Sequence, residues 1–212
     1  MTSAADRILT THVGSLPRSQ RVADLIFTRE NGTAYDPQEF ARTIGDAVCT
    51  VVARQVAVGI DLVSDGEQSK ISYATYIKDR ITGFEGDSPR RTPKDLEAFP
   101  SFMKRLAAAG GTPSYRRPRC TGPIAPKTLA PLNTDIANLH TAIAATPPTG
   151  AFMNAASPGV IALFQPNDYY PSQEAYLEAL AEAMRPEYEA IVAAGFVLQL
   201  DSPDLGDRKS VV

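Results

Sequence analysis

Apolar residues along the chain follow two rhythms: short runs rich in β-branched and aliphatic residues, and longer stretches where they recur every three or four positions. The first pattern predicts buried strands and the second amphipathic helices. Five runs read as strands: RILTTHVG (7–14), IDLVSDGE (60–67), RPRCTGPI (117–124), GAFMNAA (150–156) and FVLQLDSPD (196–204). The clearest helix is DPQEFARTIGDAVCTVVARQVAVG (36–59), with Phe40, Ile44, Ala47, Val48, Val51 and Val52 on one stripe. Asp36 suits its N-cap, Pro37 its first turn and Gly59 its stop. Further helices are expected within 72–81, 93–110, 129–146 and 172–195, the last kinked at Pro186.

Two segments repeat one design. ARQVAVGIDLVSDGE and EAIVAAGFVLQLDSPD each pass from a helix end through glycine into an apolar strand and then to an acid. A helix packed on a sheet, followed by a buried strand of the same direction, has this signature, so the repeat predicts an α/β fold with a parallel sheet. The expected architecture is a single domain over residues 1–212, a parallel (β/α) barrel of the TIM type truncated after about five strands. A closed barrel of this type needs eight. The tail GDRKSVV has neither helical period nor apolar stripe.

Composition narrows the function. Hydrophobic residues make up 43% of the chain and the net charge is −3, with basic clusters no longer than SPRR and SYRRPR. Nucleic acid is therefore not an expected partner. No run approaches the ~20 apolar residues of a membrane span, and the N-terminus lacks a signal-peptide core, so a cytoplasmic protein without membrane contact is expected. The two cysteines and two histidines show no Cys-x-x-Cys, His-x-His or His-Glu-x-x-His spacing. Spacing alone proposes no metal site.

Candidate chemistry gathers at strand ends: His12 to Ser15, Asp65-Gly66-Glu67, and Asp201-Ser202-Pro203-Asp204. In a parallel sheet Glu67 and Asp201 would share one mouth, a pair suited to an ammonium group or to proton transfer. Each acid could equally cap a helix or solvate a loop. His12 could be a ligand, a base or a polar core residue. His140 and Cys49 read as helix residues with structural roles, and Cys120 lies in the third run.

TTHVGSLPRS, GIDLVSDGE and AAGFVLQLDSPDL, in this order, resemble the cobalamin-independent methionine synthase family, in its C-terminal catalytic barrel and its stand-alone, epoxyalkane:coenzyme M transferase-like relatives. The resemblance implies a (β/α)8 barrel that moves a methyl or alkyl group onto a zinc-activated thiol without cobalamin. It implies that Val13, Gly14 and Ser15 hold the amino-acid thiol, homocysteine or a related small thiol, and that Glu67 and Asp201 take its ammonium group. His12, Arg119 and Phe164 fall near the second substrate, the methyl or alkyl donor, with Phe164 where methionine synthase has an indole. The family's zinc ligands lie on strands after the fifth, so none is expected in this chain. Asp201 also lacks the acid that follows it in methionine synthase itself, which favours a stand-alone relative. The expected function is a methionine synthase-like thiol methyl- or alkyltransferase with its zinc-binding half absent. The alternative is an inactive remnant that binds a ligand or a partner. A homo-oligomer formed through the open barrel edge is a further expectation.

Overall fold

The computed structural model describes residues 7–13, 15–88, 94–102, 105 and 117–206. Helix α1 (Gln20–Glu30) starts on Ser19, whose hydroxyl accepts from the Val22 amide, and buries Val22, Leu25 and Ile26. Helix α2 (Pro37–Ala57) starts as expected on Asp36 and turns Ile44, Val48 and Val52 inward. Strand β1 (Leu62–Val63) follows, then a 3-10 turn (Thr75–Asp79), β2 (Phe84–Glu85), α3 (Lys94–Glu97) and β3 (Arg119–Cys120). The second half runs α4 (Ala130–Ala145), β4 (Gly150–Ala156), α5 (Pro158–Phe164), α6 (Gln173–Ala193), β5 (Val197–Asp201) and a closing 3-10 turn (Pro203–Gly206).

The sheet is parallel, in the order β1-β4-β5. Strand β4 lies at its centre and is buried from Phe152 onward. Its side chains alternate between faces. Met153 and Ala155 join α1, α2 and α4 in one apolar cluster, while Ala156 joins Tyr76, Val160, Tyr176 and Leu180 in a second. No helix among the described residues is long and apolar enough to cross a membrane.

Three of the five expected parallel strands form this sheet. The first run does not, although it lies beside β1. The amides of Asp61 and Leu62 both donate to the single carbonyl of Thr10 (3.2 and 3.1 Å), and the Thr10 amide donates to the Asp61 carboxylate (2.8 Å). A side chain has taken the hydrogen bond that a ladder would need. The third run pairs antiparallel with β2 instead, Cys120 opposite Phe84. Pro118 and Pro123 bracket it and deny it the amides of a longer strand. The helix expected over 72–81 is reduced to the 3-10 turn, and that over 93–110 is described only in part. Helix α6 continues through Pro186. Helices α1 and α5 were not expected.

A buried ionic cluster joins the second half to the first. Arg80 donates to Asp135 (2.5 Å) and lies 2.9 Å from Glu187, and Tyr76 donates its hydroxyl to Glu187 at 2.6 Å. Burial pushes the Asp135 carboxyl up, and the Arg80 guanidinium pulls it back. Burial likewise raises the Tyr76 phenol. Removing one member strands the others in a low dielectric. Glu187→Ala is expected to cost about 3–5 kcal/mol in denaturant melts, and Glu187→Gln less, because it keeps an acceptor for Tyr76.

Asp61 generates a pH prediction. Hydrogen bonds from Arg7 and from the Thr10 amide and hydroxyl hold its carboxyl well below the usual carboxylate range. A depressed carboxylate contributes stability that is fully present above its unfolded pKa of about 3.9 and is lost as pH falls through the folded value. The stability gap between the wild-type chain and Asp61→Asn should therefore be widest near neutrality and close steadily below about pH 4, read by thermal melts across pH.

Candidate functional site

The end of β1 is clamped before it turns. The Gln55 side chain on α2 accepts from the Ser64 amide (3.0 Å) and donates to the Ser64 carbonyl (2.8 Å). Asp65 then accepts from the Glu67 amide at 2.9 Å, closing a turn in which Gly66 (φ +62°) and Glu67 (φ +54°) are both left-handed. Glycine suits the first position twice over, because a Cβ there would also lie 3.0 Å from that of Leu16. Glu67 pays the steric penalty of a left-handed L-residue, about 1–2 kcal/mol.

That turn carries the Glu67 carboxylate inside. Glu67 is 0% exposed; one oxygen accepts from the Ser15 hydroxyl at 2.5 Å, and the other, Oε1, is buried without a hydrogen-bond partner among the described residues. Arg18 secures the loop from outside by donating to the carbonyls of Glu67 and Lys70, both at 2.7 Å. Burial lowers the Arg18 pKa, and Glu67 and Asp65 partly restore it.

Three residues on, Lys70 reaches across to β4. Its ammonium donates to the Asn154 carbonyl (2.7 Å) and lies 4.5 Å from the Tyr76 ring centre. The Asn154 side chain in turn donates to both oxygens of Asp201 at the end of β5 (3.3 and 3.2 Å). Gln199 adds a third donor at 3.1 Å. The Asn154 Oδ1 atom is buried and unpartnered. Glu67 thus follows the carboxyl end of β1 and Asp201 closes that of β5, on one edge of the parallel sheet. Beyond Asp201, the Asp204 carboxylate presses on Gly159, where a Cβ would come within 2.1 Å of it.

The other expected residues are dispersed. Val13 is 72% exposed, and Gly14 lies outside the described residues. His12 donates from Nε2 to Gln55 (2.7 Å), because the Ser64 amide identifies that Gln55 atom as the oxygen, which can only accept. Arg119 is ion-paired with Asp168 on the surface. Phe164 packs edge-on against Tyr73 with the Arg117 guanidinium over its face. No described contact ties Arg119 or Phe164 to Glu67. Among the described residues no three His, Cys, Asp or Glu side chains are grouped to hold a metal ion.

Sequence reasoning missed Arg18, Gln55, Lys70 and Asn154. Asn154 carried a signal, a lone amide in the apolar strand GAFMNAA. Arg18, Gln55 and Lys70 act on main-chain groups, which leave no pattern in side-chain spacing. A larger cavity of about 750 Å³ opens elsewhere, between α1, α2, α4 and the segment around Tyr76. It shares Lys70 with this site but includes neither Glu67 nor Asp201.

No family profile matches the chain. Methionine synthase of Sulfolobus acidocaldarius is 26% identical over 204 residues, covering 96% of this chain and 54% of that protein. The methionine synthase of Sulfurisphaera tokodaii is 24% identical with the same coverage. Two solved structures share the fold. A putative vitamin-B12-independent methionine synthase from Listeria monocytogenes has a TM-score of 0.63 and 21% identity, over 92% of this chain and 53% of that one. A B12-independent methionine synthase from Shewanella sp. W3-18-1, in complex with selenomethionine, has a TM-score of 0.59 and 22% identity, over 80% and 44%. The chain spans about half the length of the curated relatives it matches. In sequence the chain is similar to these methionine synthases, and in fold to the two B12-independent methionine synthase structures.

Proposed function

We propose that the chain carries the amino-acid-binding side of a methionine synthase-like site, holding homocysteine or a related small thiol for transfer of a methyl or alkyl group. The observation that carries this reading is the buried, unpartnered Oε1 of Glu67. An ionised carboxylate oxygen sealed from water without a donor is costly, and a ligand ammonium would supply both the charge and the hydrogen bond. Asn154 Oδ1, orphaned on the same edge, is a further acceptor for an N–H group. Asp201 adds negative charge beside it. The selenomethionine complex of the Shewanella protein makes an amino acid of this size a reasonable occupant.

In this reading Ser15 fixes the rotamer of Glu67, Arg18 holds the loop that bears it, and Asn154 orients Asp201. The zinc that the resemblance implies does not fit the residues described. Among the described residues no three His, Cys, Asp or Glu side chains are grouped to hold it, Cys120 donates to the Gly122 carbonyl, His140 packs on the Phe196 ring and Cys49 lies on α2. Thiol activation is therefore not assigned to any residue here, and no role for cobalamin is invoked. The sheet would belong to a (β/α) barrel continued past β5, whose Val197 and Leu200 are each 45% exposed. That edge would also suit a second copy of the chain. A ligand-binding module without turnover is the second reading, favoured by the dispersal of the metal-binding side chains.

Calorimetric titration with methionine and homocysteine is expected to show saturable binding to the full chain. Glu67→Gln should weaken it about tenfold or more, the worth of a charge-assisted hydrogen bond. Equal affinity in wild type and variant would refute the assignment. After dialysis the chain is expected to retain no stoichiometric zinc and to give no homocysteine methylation. Retained zinc with turnover would reject both the dispersed-ligand reading and the module.

A further inference from the structure

A groove of about 480 Å³ runs between the N-terminal turn of α1 and the flank of α2, walled by Arg18, Ser19, Arg21, Asp46, Arg54 and Gln68 among others. Three guanidinium groups meet one carboxylate on its walls. Arg21 also pairs with Glu39, leaving most of its donors uncommitted. The Arg54 guanidinium has no hydrogen-bond or ion-pair partner among the described residues. The Arg18 Nε is buried, with no acceptor among the described residues. Helix α1 has no acidic residue in its first turn, so the positive end of its dipole adds to the same field.

We propose that this groove binds an oxyanion, the phosphate or carboxylate groups of a small polyanionic metabolite, and that Arg18 transmits its occupancy to the Glu67 loop. Arginine forks match both oxyanions in geometry. The Arg18 side chain has two sides to its work: its Nη2 holds the carbonyls of Glu67 and Lys70, and the same side chain lines the groove. An anion accepting from that guanidinium in the groove fixes its plane and with it the two carbonyls. The loop bearing Glu67, strained at its left-handed residue, then loses freedom to relax. This inference does not depend on what ligand Glu67 receives.

The test uses the full chain at low salt, titrated separately with pyrophosphate and citrate by calorimetry, with amide hydrogen exchange followed at saturation. Saturable binding of one probe, or of both, is expected, and the stronger identifies the oxyanion source. Arg21→Gln and Arg54→Gln, both at exposed positions, should keep the wild-type melting temperature and each weaken binding about tenfold. Amides of Leu16 and of residues 66–70 should exchange more slowly with the groove filled. Absence of saturable binding by either probe, or unchanged affinity in the Arg21→Gln/Arg54→Gln double variant, would overturn the site. Binding without protection at residues 66–70 would overturn the coupling.

Discussion

Strand β4 is longer than the neighbour that should cover it. Its ladder with β1 is confined to Gly150 and Ala151, whereas its ladder with β5 runs from Phe152 to Ala156. The main-chain groups of Asn154 and Ala156 on the β1 side are therefore buried with no strand to meet them, and buried peptide groups must be paired. Side chains stand in for the missing strand. Lys70 donates to the Asn154 carbonyl, the Ala156 amide donates to the Tyr76 hydroxyl (3.2 Å), and Tyr188 donates to the Ala156 carbonyl (2.7 Å).

Those substitutes set the rest of the architecture. A buried ammonium at Lys70 and a buried phenol at Tyr76 each need further partners, and the Tyr76 ring lies 4.5 Å from Lys70 and 4.6 Å from the Arg80 guanidinium. Arg80 then requires Asp135 and Glu187 to offset its desolvation. One short strand thus draws a chain of polar groups from α4 and α6 toward the sheet. The same chain fixes Lys70, three residues from Glu67, so the demands of the core and of the candidate site meet in one loop.

The sequence pattern was legible where local physics decides. Helix α2, strand β4 and the acids beyond β1 and β5 stand where periodicity and capping put them. It failed where two local solutions compete. The Thr10 amide had a ladder or the Asp61 carboxylate available, and Cys120 pairs with Phe84 antiparallel and with Asn167 parallel, outside the three-stranded sheet. Nothing in the spacing of apolar residues chooses between them. Helix α5 was hidden because Ser157-Pro158-Gly159 reads as an interruption, although Ser157 caps it and Pro158 opens it. The resemblance gives Val13 a role through its backbone, which the exposure of its side chain does not touch. For the site, Glu67 and Asp201 were visible as charges, while the clamps that aim them bond to backbone and were not.

Glu67 occupies a backbone conformation that glycine or asparagine would accept with less strain. Its carboxylate is also buried, with half of its accepting capacity unused. At this one position both the conformational preference and the solvation of the side chain oppose folding, and replacement by glycine would relieve both. A chain drifting under selection for thermal robustness alone would lose this residue early. In the proposed reading this carboxylate is what a ligand ammonium would meet, so residue 67 sets binding against the interest of the fold.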